Sequence, residues 1–106
     1  FLVEEGDRLI ASNTLFSRFD ELRISAKEQV VQQKVAQAVA VVVTNQRIVA
    51  YGAHAPGWES VRLHANERVE SIQAEDASAQ VVTSDRILNF YGRRGSWAIT
   101  KRSIDL

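Results

Sequence analysis

Two histidines and several adjacent carboxylates are the residues in this chain best suited to chemistry. His54 and His64 are the only histidines among 106 residues, and their separation fits none of the spacings typical of metal ligands. The adjacent carboxylates cannot form acid and base couples, because neighbouring residues on a strand point to opposite faces. These are Glu4-Glu5, Asp20-Glu21 and Glu75-Asp76. No serine elbow and no glycine-rich phosphate loop occurs. The sequence predicts no metal, no cofactor and no enzymatic activity.

Four basic residues near the end of the chain are the candidates for contact with a partner or an anion: Arg93, Arg94, Lys101 and Arg102. The first two adjoin Gly95, which indicates an exposed loop. Such a cluster suits an acidic protein surface or an anionic membrane, with ordinary solvated surface charge as the alternative. Nucleic acid is not favoured, because 13 basic residues balance 13 acidic ones across the chain and nucleic-acid binding usually requires a basic domain.

Two tryptophans are the candidates for stacking on a sugar ring, as in a lectin-like module. Trp97 follows Trp58 at the same interval at which Trp58 follows Phe19. An aromatic residue at a constant spacing is more typical of a core between repeated units. In that case the buried indole N–H needs an acceptor, which the carbonyl at a strand end can supply.

These aromatic residues belong to an internal repeat. Residues 81–97 read VVTSDRILNFYGRRGSW, and residues 42–58 read VVTNQRIVAYGAHAPGW. The same 39-residue offset extends through most of the chain, with a fainter first copy. The sequence therefore predicts a single domain of about 2.7 copies (106 divided by 39), with copy one at 1–23, copy two at 24–62 and copy three at 63–106.

The repeated unit has the pattern of four short antiparallel strands, and the chain falls one strand short of three units. A polar pair separates two apolar runs in every copy, at Gly6-Asp7, Asn45-Gln46 and Ser84-Asp85, and such pairs are typical of tight hairpins. The aromatic residue opens a third strand, and a fourth follows a polar turn. Residues 25–43 also contain many helix formers. We favour strand, turn and strand there, because the equivalent residues of copy three include the turn-like stretch 75–78.

An arginine follows each of these polar pairs: Arg8, Arg47 and Arg86. One interpretation is an anion site, because the guanidinium group suits carboxylate and phosphate. The other is that each arginine ties its turn to a carboxylate of a neighbouring copy, with Asp7 and Asp85 close in sequence. We favour the second interpretation.

A unit of about 40 residues, with a hairpin of the form apolar-Thr-turn-Arg-apolar and a repeated tryptophan, resembles a β-propeller blade. The resemblance implies that the repeated Val, Ile and Trp positions pack between blades. No specific propeller family is indicated, since the Gly-His and Trp-Asp pairs of WD-repeat blades do not occur. A β-trefoil or another three-fold β fold is the main alternative. A weaker likeness, to pleckstrin-homology-like domains, rests on VTNQRI and VESI.

The count of copies leads to the functional expectation. Propellers close with four or more blades, so fewer than three copies leave sheet edges and faces that need cover. We therefore expect a non-catalytic structural or protein-interaction module, either a homo-oligomer or a subunit or fragment of a larger assembly. A start at Phe1 rather than Met fits a processed form or a piece of a longer protein. Carbohydrate binding and anionic-lipid binding are the alternatives. The sequence indicates no compartment.

Overall fold

The computed structural model describes residues 2–102, and its strands form three separate antiparallel sheets. Sheet one contains β1 (Leu2–Glu5), β2 (Arg8–Asn13) and β3 (Arg18–Arg23). Sheet two contains β4 (Val30–Val35), β5 (Val39–Thr44), β6 (Arg47–Gly52) and β7 (Ala55–Arg62). Sheet three contains β8 (Val69–Glu75), β9 (Ser78–Thr83), β10 (Arg86–Tyr91) and β11 (Ser96–Lys101). Each sheet is a meander, because its strands pair in chain order. The described residues contain no helix able to span a membrane.

In sheets two and three, a threonine fixes the turn between the two central strands, and it is the last residue of β5 or of β9. Thr44 Oγ1 accepts hydrogen bonds from the backbone N–H groups of Gln46 at 3.1 Å and Arg47 at 3.0 Å. Thr83 Oγ1 accepts the equivalent bonds from Asp85 and Arg86. A side-chain oxygen that holds two N–H groups in this way is a common means of fixing a turn.

Residues 25–43 form strand, turn and strand, so the helical interpretation is wrong and the favoured one is confirmed. β4 and β5 pair antiparallel, with residues 36–38 between them. All six residues of β5 are buried. The helix-forming composition was overridden because an apolar strand in the middle sheet is covered on both faces.

The core lies in two layers, one on each side of sheet two. Alternate residues of β5 and β6 face opposite ways, as in any strand. Between sheets two and three, the buried residues are Val39, Val41, Val43, Ile48, Ala50, Ile72, Ala79, Val81, Leu88 and Phe90. Between sheets one and two, a smaller buried hydrophobic cluster contains Leu9, Ile24, Val42 and Val49. Sheet two is therefore the centre of a three-sheet stack.

Sheets two and three lie close together at a pair of glycines. A Cβ added to Gly52 would lie 2.5 Å from the carbonyl oxygen of Gly92 and 2.7 Å from its Cα. Three small residues, Ala38, Ala53 and Ala77, form a buried cluster beside this contact. The backbone N–H of Ala38 donates to the carbonyl of Asp76 at 2.7 Å, which joins the two sheets at this end.

The fold is all-β, and its face-to-face meander sheets are compatible with a propeller-like or related architecture. No strand within residues 2–102 pairs with a strand of a different sheet, so the three copies do not merge into one barrel as in a trefoil. The same residues contain no helix, unlike pleckstrin-homology-like domains, which end in one. Copies two and three fold alike, each as a four-stranded sheet.

Candidate interaction surfaces

An arginine links sheet two to sheet one at the hairpin end of the stack. Arg47 Nε donates to Glu28 Oε2 at 2.8 Å, and its Nη2 donates to the backbone carbonyl of Arg23 at 2.8 Å. Glu28 also accepts hydrogen bonds from the Thr44 hydroxyl and from the backbone N–H of Ser25. Arg47 therefore binds a carboxylate of its own copy and a carbonyl of the preceding copy.

Sheet three repeats this arrangement. Arg86 Nε donates to Glu67 Oε2 at 3.0 Å, and its Nη2 donates to Glu67 Oε1 at 2.7 Å and to the carbonyl of Arg62 at 3.0 Å. The Thr83 hydroxyl and the backbone N–H of His64 complete the set of donors to Glu67. The bonds from the arginine, the threonine hydroxyl and the backbone N–H thus recur at the equivalent positions of the two copies, so this network belongs to the repeat.

The environment of both glutamates favours the charged carboxylate. Burial alone would raise the pKa of Glu67, but the hydrogen bonds from Arg86, Thr83 and the His64 backbone outweigh it and lower the pKa from 4.5 to about 2. Burial opposes ionisation of Glu28 as well, and its bonds to Arg47 and Thr44 lower that pKa below the ordinary value. Both carboxylates are therefore fixed structural anions with their oxygens occupied.

The expected arginine partners were wrong. Arg47 and Arg86 pair with glutamates of their own copies, and only their bonds to backbone carbonyls cross between copies. Asp7 instead pairs with Arg23 at 2.9 Å, while Asp85 lies 3.2 Å from His64. The glutamates were missed because they lie far ahead of their arginines in the sequence. The detectable signal was that Glu28 and Glu67 are identical at the repeat offset.

Both tryptophans lie between sheets. Trp58 Nε1 donates to the carbonyl of Asp20 in sheet one at 3.1 Å, and Trp97 Nε1 donates to the carbonyl of Glu59 in sheet two at 3.3 Å. Both side chains are half-buried. Trp58 packs on Tyr51 with ring centroids 5.3 Å apart, and Trp97 packs on Phe90 at 5.2 Å. Each indole therefore lies at the junction with the preceding sheet and binds that sheet through its N–H.

Phe19 occupies the position equivalent to Trp58 and Trp97 but is 73 % exposed. The expectation of a core residue was wrong here, because no sheet within residues 2–102 lies on that side of sheet one. The strand register places Val3, Ile10, Ser12 and Phe19 on this side, which we name the head face. Val3 is 49 % exposed. The head face is an interface position that the described chain leaves uncovered.

The opposite end of the stack is the outer side of sheet three, which we name the tail face. It presents Gln80, Val82, Ile87 and Asn89, all half-buried. Gln80 Nε2 donates to Asn89 Oδ1 at 3.1 Å. The equivalent residues of sheet two are Val41, Val43, Ile48 and Ala50, which are buried against sheet three. Two of the four tail-face residues are therefore apolar, whereas all four equivalent residues of sheet two are apolar.

The four basic candidate residues do not form one patch. Arg93 and Arg94 lie in the loop before β11, whereas Lys101 ends that strand and Arg102 follows it. The extended length of β11 separates the two pairs by roughly 20 Å. Arg94 lies over the ring of Tyr91 at 5.2 Å.

Arg102 is already engaged at its own end of the strand. It donates to the Glu70 carboxylate and to the Thr83 carbonyl, each at 2.8 Å. Arg102 therefore acts within sheet three, and the exposed cations Arg93 and Lys101 lie at opposite ends of β11.

Arg93 instead lines a cleft of about 530 Å³ where turns of all three sheets converge. His54 and Asp76 line the same cleft, with Asn13 at its base. Asn13 is buried and donates to the Tyr51 hydroxyl and to the Ala53 carbonyl, each at 3.0 Å. The cleft contains neither tryptophan, so it does not provide the aromatic platform expected of a sugar site.

The structure brings His64 together with two carboxylates that sequence spacing did not connect to it. Ligand atoms of His64, Glu67 and Asp85 lie within 4.8 Å of one another. Glu67, however, binds the Arg86 guanidinium through both oxygens. A metal ion would have to displace that cation, so the cluster is better described as part of the repeat network.

Among the described residues, the surfaces that the repeat marks out are therefore the head and tail faces, and neither contains a catalytic constellation. Comparison of the chain with protein-family models, with curated proteins and with solved structures finds no match to any of them.

Proposed function

We propose that this chain is a non-catalytic protein-interaction module that docks on a protein partner through its head face. The observation that carries the proposal is the exposure of Phe19 in sheet one, which is 73 % exposed. At the equivalent positions of the other two sheets, Trp58 and Trp97 contact the preceding sheet. Large apolar side chains grouped on one face of a stable sheet are typical of an interaction site. Val3 and Ile10 extend the same face.

A non-catalytic role is supported by the state of the perturbed carboxylates. Catalytic acids and bases need a free position towards a substrate. Glu28 and Glu67 instead accept hydrogen bonds from an arginine, a threonine and a backbone N–H each. Their lowered pKa values thus follow from structural pairing.

The alternatives have weaker support. Carbohydrate stacking needs an accessible indole face, whereas Trp58 and Trp97 pack on neighbouring rings and have their N–H groups occupied. Binding to an anionic membrane gains from several cations at one surface. Arg93 and Lys101 lie at opposite ends of β11, and Arg102 pairs with Glu70.

Thiol accessibility in cells tests the proposal. The chain has no cysteine, so Val3→Cys places a single thiol on the head face and leaves the Phe19 ring in place, and Thr14→Cys places one in an exposed turn as the control. A membrane-permeant maleimide is applied to intact cells and to dilute purified protein. We expect the thiol at position 3 to react at least tenfold more slowly in cells, with no such difference at position 14. Equal reactivity of both thiols in cells would refute docking through the head face.

A further inference from the structure

We propose that the head face binds the tail face of a second copy of this chain, so that chains stack head to tail. This inference rests on the proposed function and names the partner. Two interfaces of this kind are present within the chain. Sheet one covers one side of sheet two, and sheet two covers the equivalent side of sheet three. In both cases, the side of a sheet that corresponds to the head face packs on the side of the preceding sheet that corresponds to the tail face.

The hydrogen bonds between sheets follow the repeat and lead to defined groups on the tail face. The arginine bond runs from Arg47 to the carbonyl of Arg23, and from Arg86 to that of Arg62. One further step of the repeat places this acceptor at the carbonyl of Lys101. The corresponding donor on the head face is Arg8, which lies on the same side of sheet one as Ile10. Its guanidinium contacts Glu5 and Glu21, both exposed.

The aromatic contact follows the same rule with one change. The acceptors of the two indole N–H groups are the carbonyls of Asp20 and Glu59, and the next equivalent is Ala98. The head face offers Phe19 in place of tryptophan. A phenyl ring retains the apolar contact and lacks the donor, so this junction lacks one hydrogen bond that each of the two junctions within the chain has, and it is correspondingly weaker.

Side-chain sizes on the two faces are complementary. Within the chain, Phe90 shares a buried cluster with Val41 and Ala50. On the tail face, Gln80 and Asn89 take the positions of Val41 and Ala50 and are larger. On the head face, Ser12 takes the position of Phe90 and is smaller. An exchange of large and small residues across an interface preserves its volume. The serine hydroxyl can also hydrogen-bond to the two amides, which would otherwise lose water on burial.

This junction is heterologous, because each chain contributes a different face to it. Such contacts produce a closed ring when the rotation returns to the start and an open stack when it does not. A head-to-head pair would bring two Phe19 rings together but would leave both Arg8 groups without the carbonyl acceptor that Arg47 and Arg86 have. The repeat therefore favours head-to-tail contact.

Mixing two variants blocked on opposite faces tests the inference. Phe19→Arg blocks the head face, and Asn89→Arg blocks the tail face at the position where Ala50 is fully buried in sheet two. Val3→Arg and Gln80→Arg are the second pair, used if either of the first variants does not fold by circular dichroism. Multi-angle light scattering then gives the mass of each variant alone and of the equimolar mixture.

We expect each blocked variant alone to have the monomer mass of 11.9 kDa, and the mixture to form one dimer with one chain of each kind. A tail-blocked variant that dimerises by itself would show head-to-head contact and overturn the inference. A mixture that stays monomeric would overturn it too. If the thiol at position 3 is nevertheless protected in cells, the head face docks on another protein, and only the identity of the partner proposed here is wrong.

Discussion

The indole N–H of Trp58 donates to the backbone carbonyl of Asp20 across the gap between sheets one and two, at 3.1 Å. The bond recurs in the next copy, from Trp97 to Glu59. This hydrogen bond recurs between successive sheets. The repeating structural unit of this protein is therefore a sheet together with its contact to the preceding sheet. In solenoids and propellers each unit is likewise stabilised mainly by its neighbours.

Truncating the repeated aromatic should have very different effects in different copies. We expect Trp58→Ala to lower the free energy of unfolding by about 3 kcal/mol, because it removes a half-buried ring and an inter-sheet hydrogen bond. Phe19→Ala, at the equivalent but exposed position, should change it by less than about 0.5 kcal/mol in the dilute protein. Urea denaturation measures both values. Similar losses for the two variants would contradict the assignment of Trp58 to an interface and of Phe19 to an uncovered face.

The buried pair of Glu67 and Arg86 should make stability depend on acid pH. The pKa of Glu67 is about 2 in the folded chain against an ordinary value of 4.5. Its stabilising contribution is therefore complete above pH 4.5 and is lost as the pH falls towards 2, with a total on the order of 3 kcal/mol. Glu67→Gln should be less stable than the parent at neutral pH, and the difference should shrink on acidification.

Glu70→Gln is the matched control for this pH effect. Glu70 forms an ion pair with Arg102 at 2.8 Å, but its side chain is 47 % exposed, so removal of its charge should cost less than about 1 kcal/mol. Unfolding free energies of the three proteins are measured across the acid range. A Glu67→Gln variant that loses stability on acidification as steeply as the parent would show that this pair is not the source of the dependence.

A side chain at position 52 should not fit, because Gly52 lies too close to Gly92. An added Cβ at position 52 would lie 2.5 Å from a backbone oxygen and 2.7 Å from a backbone carbon. We expect Gly52→Ala to destabilise the fold by about 1 to 3 kcal/mol, because sheets two and three must move apart to relieve the overlap. Gly6→Asn is the control, since nothing lies within 4 Å of a Cβ there and asparagine accepts a positive φ. Thermal melts that rank the two variants equally would contradict the packing described.

The basic loop should contribute little to assembly. Arg93 lies in the loop between β10 and β11, and the residues assigned to the tail face lie on the strands. The double variant Arg93→Glu, Arg94→Glu should therefore keep the oligomeric mass and the stability of the parent within about 0.5 kcal/mol. Flotation with phosphatidylserine vesicles provides the second measurement. Binding of the parent to vesicles and its loss in the variant would support the lipid alternative instead.

Much of the fold could be predicted from the sequence, because the repeat supplies independent copies of each local signal. The ambiguous stretch from Ser25 to Val43 was resolved by the turn-like residues of its copy. Polar pairs such as Asn45-Gln46 indicated the hairpins, since few residue types suit such turns. These local signals are sufficient to locate strands along the chain.

The candidate surfaces were less predictable, since they depend on contacts between sheets. Because Phe19 and Trp58 occupy equivalent positions of the repeat, the sequence suggested the same environment for both. Burial, however, depends on whether a neighbouring sheet is present. The partner of Arg86 was missed because Glu67 meets it only after the chain has completed two strands. Arg94 and Lys101 looked clustered in sequence, but an extended strand separates its two ends.

The mass of the unmodified chain in solution tests the central claim most directly. Light scattering is recorded from nanomolar to high micromolar concentrations, beside the Phe19→Arg variant under the same conditions. If the head face binds the tail face of another copy, the parent should reach at least twice the monomer mass of 11.9 kDa as concentration rises, and the variant should stay at the monomer mass. A parent chain that remains well folded at 11.9 kDa over the whole range would contradict it.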